Sequence, residues 1–144
     1  MEPVIRPVSF FAHDGAKLAG VLTLPPGASA TAPAPAVLLC QGLSGVKNLV
    51  LPTIAQALAA AGMASLAFDY GGYGESEGER GWVRPAARVE DALYAFAYLA
   101  QCAEIDATRL GIYGLSYGGP VVLFLGASEP RVRAVVCVSG PGRG

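Results

Sequence analysis

Histidine is nearly missing. The 144 residues hold one, His13, near the N-terminus, and none after it. A metal centre is disfavoured by that count and by the spacing of the cysteines. Cys40, Cys102 and Cys137 form no C-x-x-C pair, and no metal site is expected. Cys40 and Cys137 stand in apolar runs and read as small buried hydrophobes. Charge is scarce and balanced: 10 Lys and Arg against 11 Asp and Glu, for a net charge of −1. Nothing in that balance calls for nucleic acid or an anionic membrane as partner. No apolar run approaches the ~20 residues of a membrane span. Met1-Glu2-Pro3 opens without a basic or an apolar leader region, so no secretion signal is expected. An odd cysteine count without such a signal predicts reduced thiols and a cytoplasmic protein.

What the chain has is apolar residues, 53% of the total against 15% charged. That predicts one domain over residues 1–144, centred on a buried sheet. Val4 to Phe11 and Leu18 to Leu24 read as a hairpin around His13-Asp14-Gly15. His13 reads as a solvated turn residue. Ala36 to Cys40 and Ala64 to Phe68 are short apolar strands. A helix is expected from about Leu49 to Ala61, with Ile54, Leu58 and Ala61 on one face. A second is expected from about Pro85 to Cys102, with Val89, Leu93, Phe96 and Leu99 or Ala100 inward and Arg88, Asp91, Tyr98 and Gln101 mostly outward. A last strand is expected over Val132 to Val138. The alternation predicts an α/β fold: a mainly parallel sheet, an N-terminal antiparallel hairpin and helices on both faces. Ligands of such sheets collect at the C-terminal ends of the strands.

The chain is organised around Leu110 to Leu125, which reads as a strand, a sharp turn and a helix. The turn, Gly114-Leu115-Ser116-Tyr117-Gly118, fits G-x-S-x-G and is followed by Gly119. Small residues are needed on both sides of Ser116 because neighbouring backbone passes close. The hydroxyl then points clear of the sheet. The unpaired N–H groups of the following helix face whatever oxygen the serine attacks. The bland alternative is that Ser116 is only a turn residue.

Gly114-Leu115-Ser116-Tyr117-Gly118-Gly119 resembles the nucleophile elbow of the α/β-hydrolase superfamily. Ile105 to Ile112 resembles the lead-in of its dienelactone-hydrolase-like and prolyl-oligopeptidase-like branches. The resemblance covers nearly the whole chain but only the front half of that fold, its C-terminal strands being absent. It implies a serine hydrolase acting on a small acyl substrate without a cofactor. Ser116 would be the nucleophile, and the N–H groups of Tyr117 and Leu43 the oxyanion hole, with Gly42 admitting the close approach. Many members of the resembled family carry His-Gly where this chain has Gln41-Gly42. Asp69 to Ser76 resembles the family's Asp-x-Arg-Gly-x-Gly-x-Ser segment, with Gly71 in place of the arginine. Asp106 and Arg109 resemble a structural pair.

The resemblance also implies an acid and then a histidine after Ser116. After Ser116 there is no histidine and one acid, Glu129, which reads as a capping residue. Val132 to Val138 is apolar on both faces, as an interior strand would be, and six residues follow it. The expectation is therefore the N-terminal part of a larger enzyme, with strand 132–138 paired to further polypeptide. Two alternatives stand beside it. One is an incomplete half-hydrolase that binds or assembles with a second chain through that edge. The other is a nucleotide-binding α/β domain, although the loop from Asp69 to Gly78 fits no phosphate-binding pattern.

Overall fold

The computed structural model describes residues 1–138. The expected tail Ser139 to Gly144 lies outside the described residues. Among the described residues six strands form one sheet: β1 (Val4–Phe11), β2 (Lys17–Leu24), β3 (Ala34–Cys40), β4 (Ala64–Phe68), β5 (Ile105–Leu115) and β6 (Val132–Val138). Among those residues three helices connect them: α1 (Leu51–Ala60), α2 (Pro85–Gln101) and α3 (Gly118–Ser128). The spatial order is β1-β2-β4-β3-β5-β6. β1 and β2 form the expected hairpin, and β2 runs antiparallel to β4. β4, β3, β5 and β6 are mutually parallel.

Alternation along the central strands divides the core into two layers. Ala36, Leu38 and Cys40 of β3 and Ala64, Leu66 and Phe68 of β4 face α2 and α3. Leu39 and Ala67 face the other way, onto Leu51 and Ala55 of α1. Helices therefore cover both faces, as a parallel sheet requires. The C-terminal ends of β3, β4 and β5 reach one rim, where the loops after Cys40 and Phe68 meet the turn after Leu115.

α1 and α2 have the expected period but a different phase. α1 buries Leu51, Ala55 and Ala59, with Ile54 and Leu58 flanking and Ala61 exposed. α2 buries Arg88, Asp91, Ala92, Ala95, Phe96 and Leu99, while Leu93 is exposed. Arg88 and Asp91 turn inward because backbone groups of the rim loops take up their polar atoms. Cys40 is buried as expected, and burial pushes its thiol up to about 12. Cys137 is exposed, because among the described residues β6 has β5 as its one strand neighbour. Val135 and Val136 are exposed with it. Among the described residues no helix is long and apolar enough to cross a membrane.

Candidate active site

Ser116 stands between the end of β5 and the start of α3. Its φ is +54°, in the left-handed region that costs a side-chain-bearing residue roughly 1–2 kcal/mol. Its surroundings impose that conformation. The Ser116 N–H donates to the Val138 carbonyl at 2.8 Å, and its own carbonyl accepts the Gly119 N–H at 2.9 Å. Gly118 leaves no room for a Cβ, which would lie 2.5 Å from the Cys40 carbonyl oxygen and 2.9 Å from that of Gln41. A Cβ on Gly114 would meet the Gly118 carbonyl and, at 2.7 Å, Val122. The glycines on either side of Ser116 thus let α3 begin directly against the end of β3. The serine itself is exposed.

The loop after β3 packs onto this turn. A Cβ on Gly42 would sit 3.4 Å from the Leu115 carbonyl oxygen and 3.5 Å from the Ser116 Cβ. It would sit 3.9 Å from the Tyr117 nitrogen. Ser116, Tyr117 and the Gly42–Leu43 segment are therefore neighbours. Gln41 is buried and braces the loop from inside. Its Oε1 accepts the Gly42 N–H at 2.8 Å. Its Nε2 donates to the carbonyls of Val46 at 3.0 Å and Leu49 at 2.7 Å. Among the described residues neither the Leu43 nor the Tyr117 N–H donates to a protein acceptor.

Two buried cations secure the rim, and sequence reading assigned neither. Arg88 of α2 donates from Nη1 to the Gly42 carbonyl at 2.9 Å and from Nη2 to the Leu43 carbonyl. Lys47 donates from Nζ to Asp69 Oδ2 at 2.8 Å and to Glu75 Oε1 at 2.5 Å. Burial alone would lower the Lys47 pKa, but its bonds to Asp69 and Glu75 outweigh that and raise it. Asp69 also accepts the N–H groups of Lys47 at 2.7 Å and Glu75 at 3.0 Å. Lys47 is thus the cation paired with Asp69, and the glycine-rich loop closes on its own carboxylate. At Gly71 the N–H donates instead to Asp91 at 2.8 Å. Burial is the largest influence on Asp91 and raises its pKa.

The remaining titratable candidates lie elsewhere. His13 is in the turn between β1 and β2, its Nδ1 3.3 Å from the Tyr94 hydroxyl. Three strand spacings separate β2 from β5, about 14 Å along the rim. Glu129 follows the far end of α3, about 16 Å from its start, and accepts from Arg131 at 2.9 Å. Asp106 and Arg109 pair at 2.7 Å before the core of β5. Among the described residues no cluster of three or more His, Cys, Asp or Glu is placed to hold a metal. An apolar groove of about 470 Å³ opens beside Tyr117, between Pro85, Val89, Pro120 and Phe124.

Known proteins resemble this chain along most of its length. The model of the Hydrolase_4 family, serine aminopeptidase S33, matches residues 31–142. An uncharacterized Escherichia coli protein of the traX-finO intergenic region is 40% identical over 102 residues, or 71% of this chain and 36% of that protein. The thiohydrolase aneE of Aspergillus aculeatus is 34% identical over 138 residues, or 95% of this chain and 42% of that protein. The solved structure of the α/β hydrolase GrgF from Penicillium sp. matches with a TM-score of 0.86 and 28% identity, over 95% of this chain and 46% of that one. The chain spans less than half the length of each of these relatives. The α/β-hydrolase resemblance drawn from the elbow thus holds: this chain belongs to the serine aminopeptidase S33 family of α/β hydrolases.

Proposed function

We propose that Ser116 is the nucleophile of a hydrolase that cleaves a small ester or thioester through an acyl-enzyme. The observation that carries this reading is the strained, exposed serine at the strand-to-helix turn, φ +54°, against the Gly42 backbone. Such strain persists where the surrounding structure over-determines it, and it clusters at reactive sites. Ser116 Oγ attacks the acyl carbon as a base takes its proton. The carbonyl oxygen becomes an oxyanion held by the Leu43 and Tyr117 N–H groups. The tetrahedral species collapses, the C–O or C–S bond breaks, and the base returns its proton to the leaving alcohol or thiol. Water then attacks the acyl-enzyme by the same route and releases the acid and Ser116. No cofactor takes part in this scheme.

His13, in a turn whose strand β2 lies about 14 Å from β5, and engaged with Tyr94, is not taken as the base. The base and its orienting acid are therefore assigned to polypeptide other than these 144 residues, packed against β6. It is either a further part of a longer enzyme or a second chain.

The exposed apolar edge of β6 favours a second reading, an assembly module that pairs with a partner strand and does no chemistry. A fluorophosphonate probe, applied to the protein isolated from its own cells, separates the two. Covalent label on the peptide containing Ser116, absent in Ser116→Ala, is the result expected of the hydrolase. A folded protein that takes no label at Ser116 favours the module.

A further inference from the structure

We propose that Arg88 is a positioning residue for the oxyanion hole, acting through the peptide that joins Gly42 to Leu43. The inference rests on the assignment of Ser116 and Leu43 above. The Gly42 carbonyl and the Leu43 N–H belong to one peptide unit. That unit is planar and trans, so its C=O and N–H point in opposite directions. Arg88, 3% exposed, holds the Gly42 carbonyl with Nη1 at 2.9 Å and the Leu43 carbonyl with Nη2. The Leu43 N–H is thereby turned away from the guanidinium.

The neighbouring groups are fixed as well. Gln41 takes the Gly42 N–H at 2.8 Å, and Arg88 takes the next two carbonyls. Between those anchored groups the Leu43 N–H alone has no acceptor among the described residues. From the Gly42 N–H to the Leu43 carbonyl every backbone group but one is clamped, and that one donor is left for a ligand.

Arg88 also acts electrostatically. A cation bonded to a carbonyl draws electron density through the amide and strengthens its N–H as a donor. The guanidinium is held for this task. It lies 4.4 Å from the Tyr70 ring centroid and 5.0 Å from that of Tyr73. Its Nε–H has no partner among the described residues, so its hydrogen bonding is committed to the two carbonyls. A lysine carries the charge but lacks the planar fork that spans two acceptors.

The test compares Arg88→Gln and Arg88→Lys with the unmodified protein in its native assembly. The fluorophosphonate reaction at Ser116 separates reversible binding from the bond-forming step. Removing an oxyanion donor outright costs roughly 10²- to 10³-fold, so misdirecting one is expected to slow the bond-forming step by about tenfold or more. Reversible binding of the probe is expected to hold, and Arg88→Lys to recover little of the rate. The Leu43 amide proton is expected to move upfield in Arg88→Gln, a signature that general loosening of α2 would not confine to that residue. Unchanged rate and resonance in folded variants would overturn the proposal. Should neither variant fold, a through-hydrogen-bond coupling between Arg88 Nη1 and the Gly42 carbonyl carbon is expected in the unmodified protein, and its absence overturns the proposal equally. An unmodified protein that takes no label at Ser116 retires the hydrolase reading and this inference together. Label that is indifferent to Arg88→Gln retires this inference only.

Discussion

Lys47→Met should destabilise the protein more than Asp69→Asn does, although both remove the same ion pair. Methionine keeps the packing of the lysine stem and deletes only the cation. Asp69, 1% exposed, is then left as a buried anion holding two N–H bonds. Removing one partner of a buried pair costs about 3–5 kcal/mol, because the other charge stays out of water uncompensated. Glu75, whose side chain is 72% exposed, returns to solvent at little cost and adds nothing to the loss. In Asp69→Asn the stranded group is Lys47, but Glu75 is still within reach of it and the amide oxygen still accepts an N–H. That deficit is closer to the roughly 1–3 kcal/mol of an under-satisfied polar group. Against a total stability of about 5–15 kcal/mol, either change is large. Urea unfolding at neutral pH measures both, with the slope unchanged if the unfolded state is the same. The double variant should cost less than the sum of the singles by about 0.5–3 kcal/mol. A Lys47→Met protein within 1 kcal/mol of the unmodified one would refute the claim that Lys47 compensates Asp69.

Gly118→Ala gains about 1 kcal/mol of helix propensity but drives a methyl into two carbonyl oxygens, and melting should show a net loss of about 1–3 kcal/mol. Ser116→Gly should relieve the left-handed strain and raise stability by about 0.5–1 kcal/mol while abolishing phosphonate labelling; equal or lower stability would contradict the strain. Asp106 is held down to about 2 by the Thr108 hydroxyl and N–H and by Arg109. Its folded value lies below its unfolded value, so its contribution is complete above about pH 4 and lost as pH falls towards 2. Asp106→Asn should remove that part of the acid unfolding curve. For Lys47 the sign is reversed: the raised pKa makes its stabilisation complete below about pH 10 and lost above it, so Lys47→Met should flatten the alkaline limb.

The parts of the fold that were legible in the sequence are those set by neighbours in the chain. The hairpin follows from Asp14-Gly15 between two alternating runs. The elbow follows from glycines two residues before and after Ser116, because the constraint they satisfy lies within one turn of backbone. The element order and the two-layered sheet follow from apolar runs of strand length alternating with helical periods. α2 shows where this stops. Its period is plain, but Arg88 and Asp91 look like solvent-facing residues by type. Their burial depends on carbonyls and N–H groups of loops 20 to 46 residues away, which no local pattern encodes. Lys47 is the same case, a lone charge in a loop whose partner is 22 residues on. Gln41 was the one supporting residue with a readable signal, a polar group directly following a fully apolar strand.

Ser116, Tyr117 and Leu43 could be proposed from sequence because motif chemistry is local. The residues that give them their geometry were not, because a buried polar side chain gains its role only from the acceptors that folding brings to it. The division predicts where tolerance should lie. Leu43 contributes its backbone to the proposed site and leaves its side chain 49% exposed, so Leu43→Ala should change the rate at Ser116 little. Arg88, which touches no substrate, should be intolerant even of lysine. A site in which the donor's side chain is dispensable and a distant cation is not would follow from a hole built of peptide groups. If Leu43→Ala instead proved as damaging as Arg88→Gln in folded proteins, the side chain and not the clamped peptide would set the reactivity of Ser116.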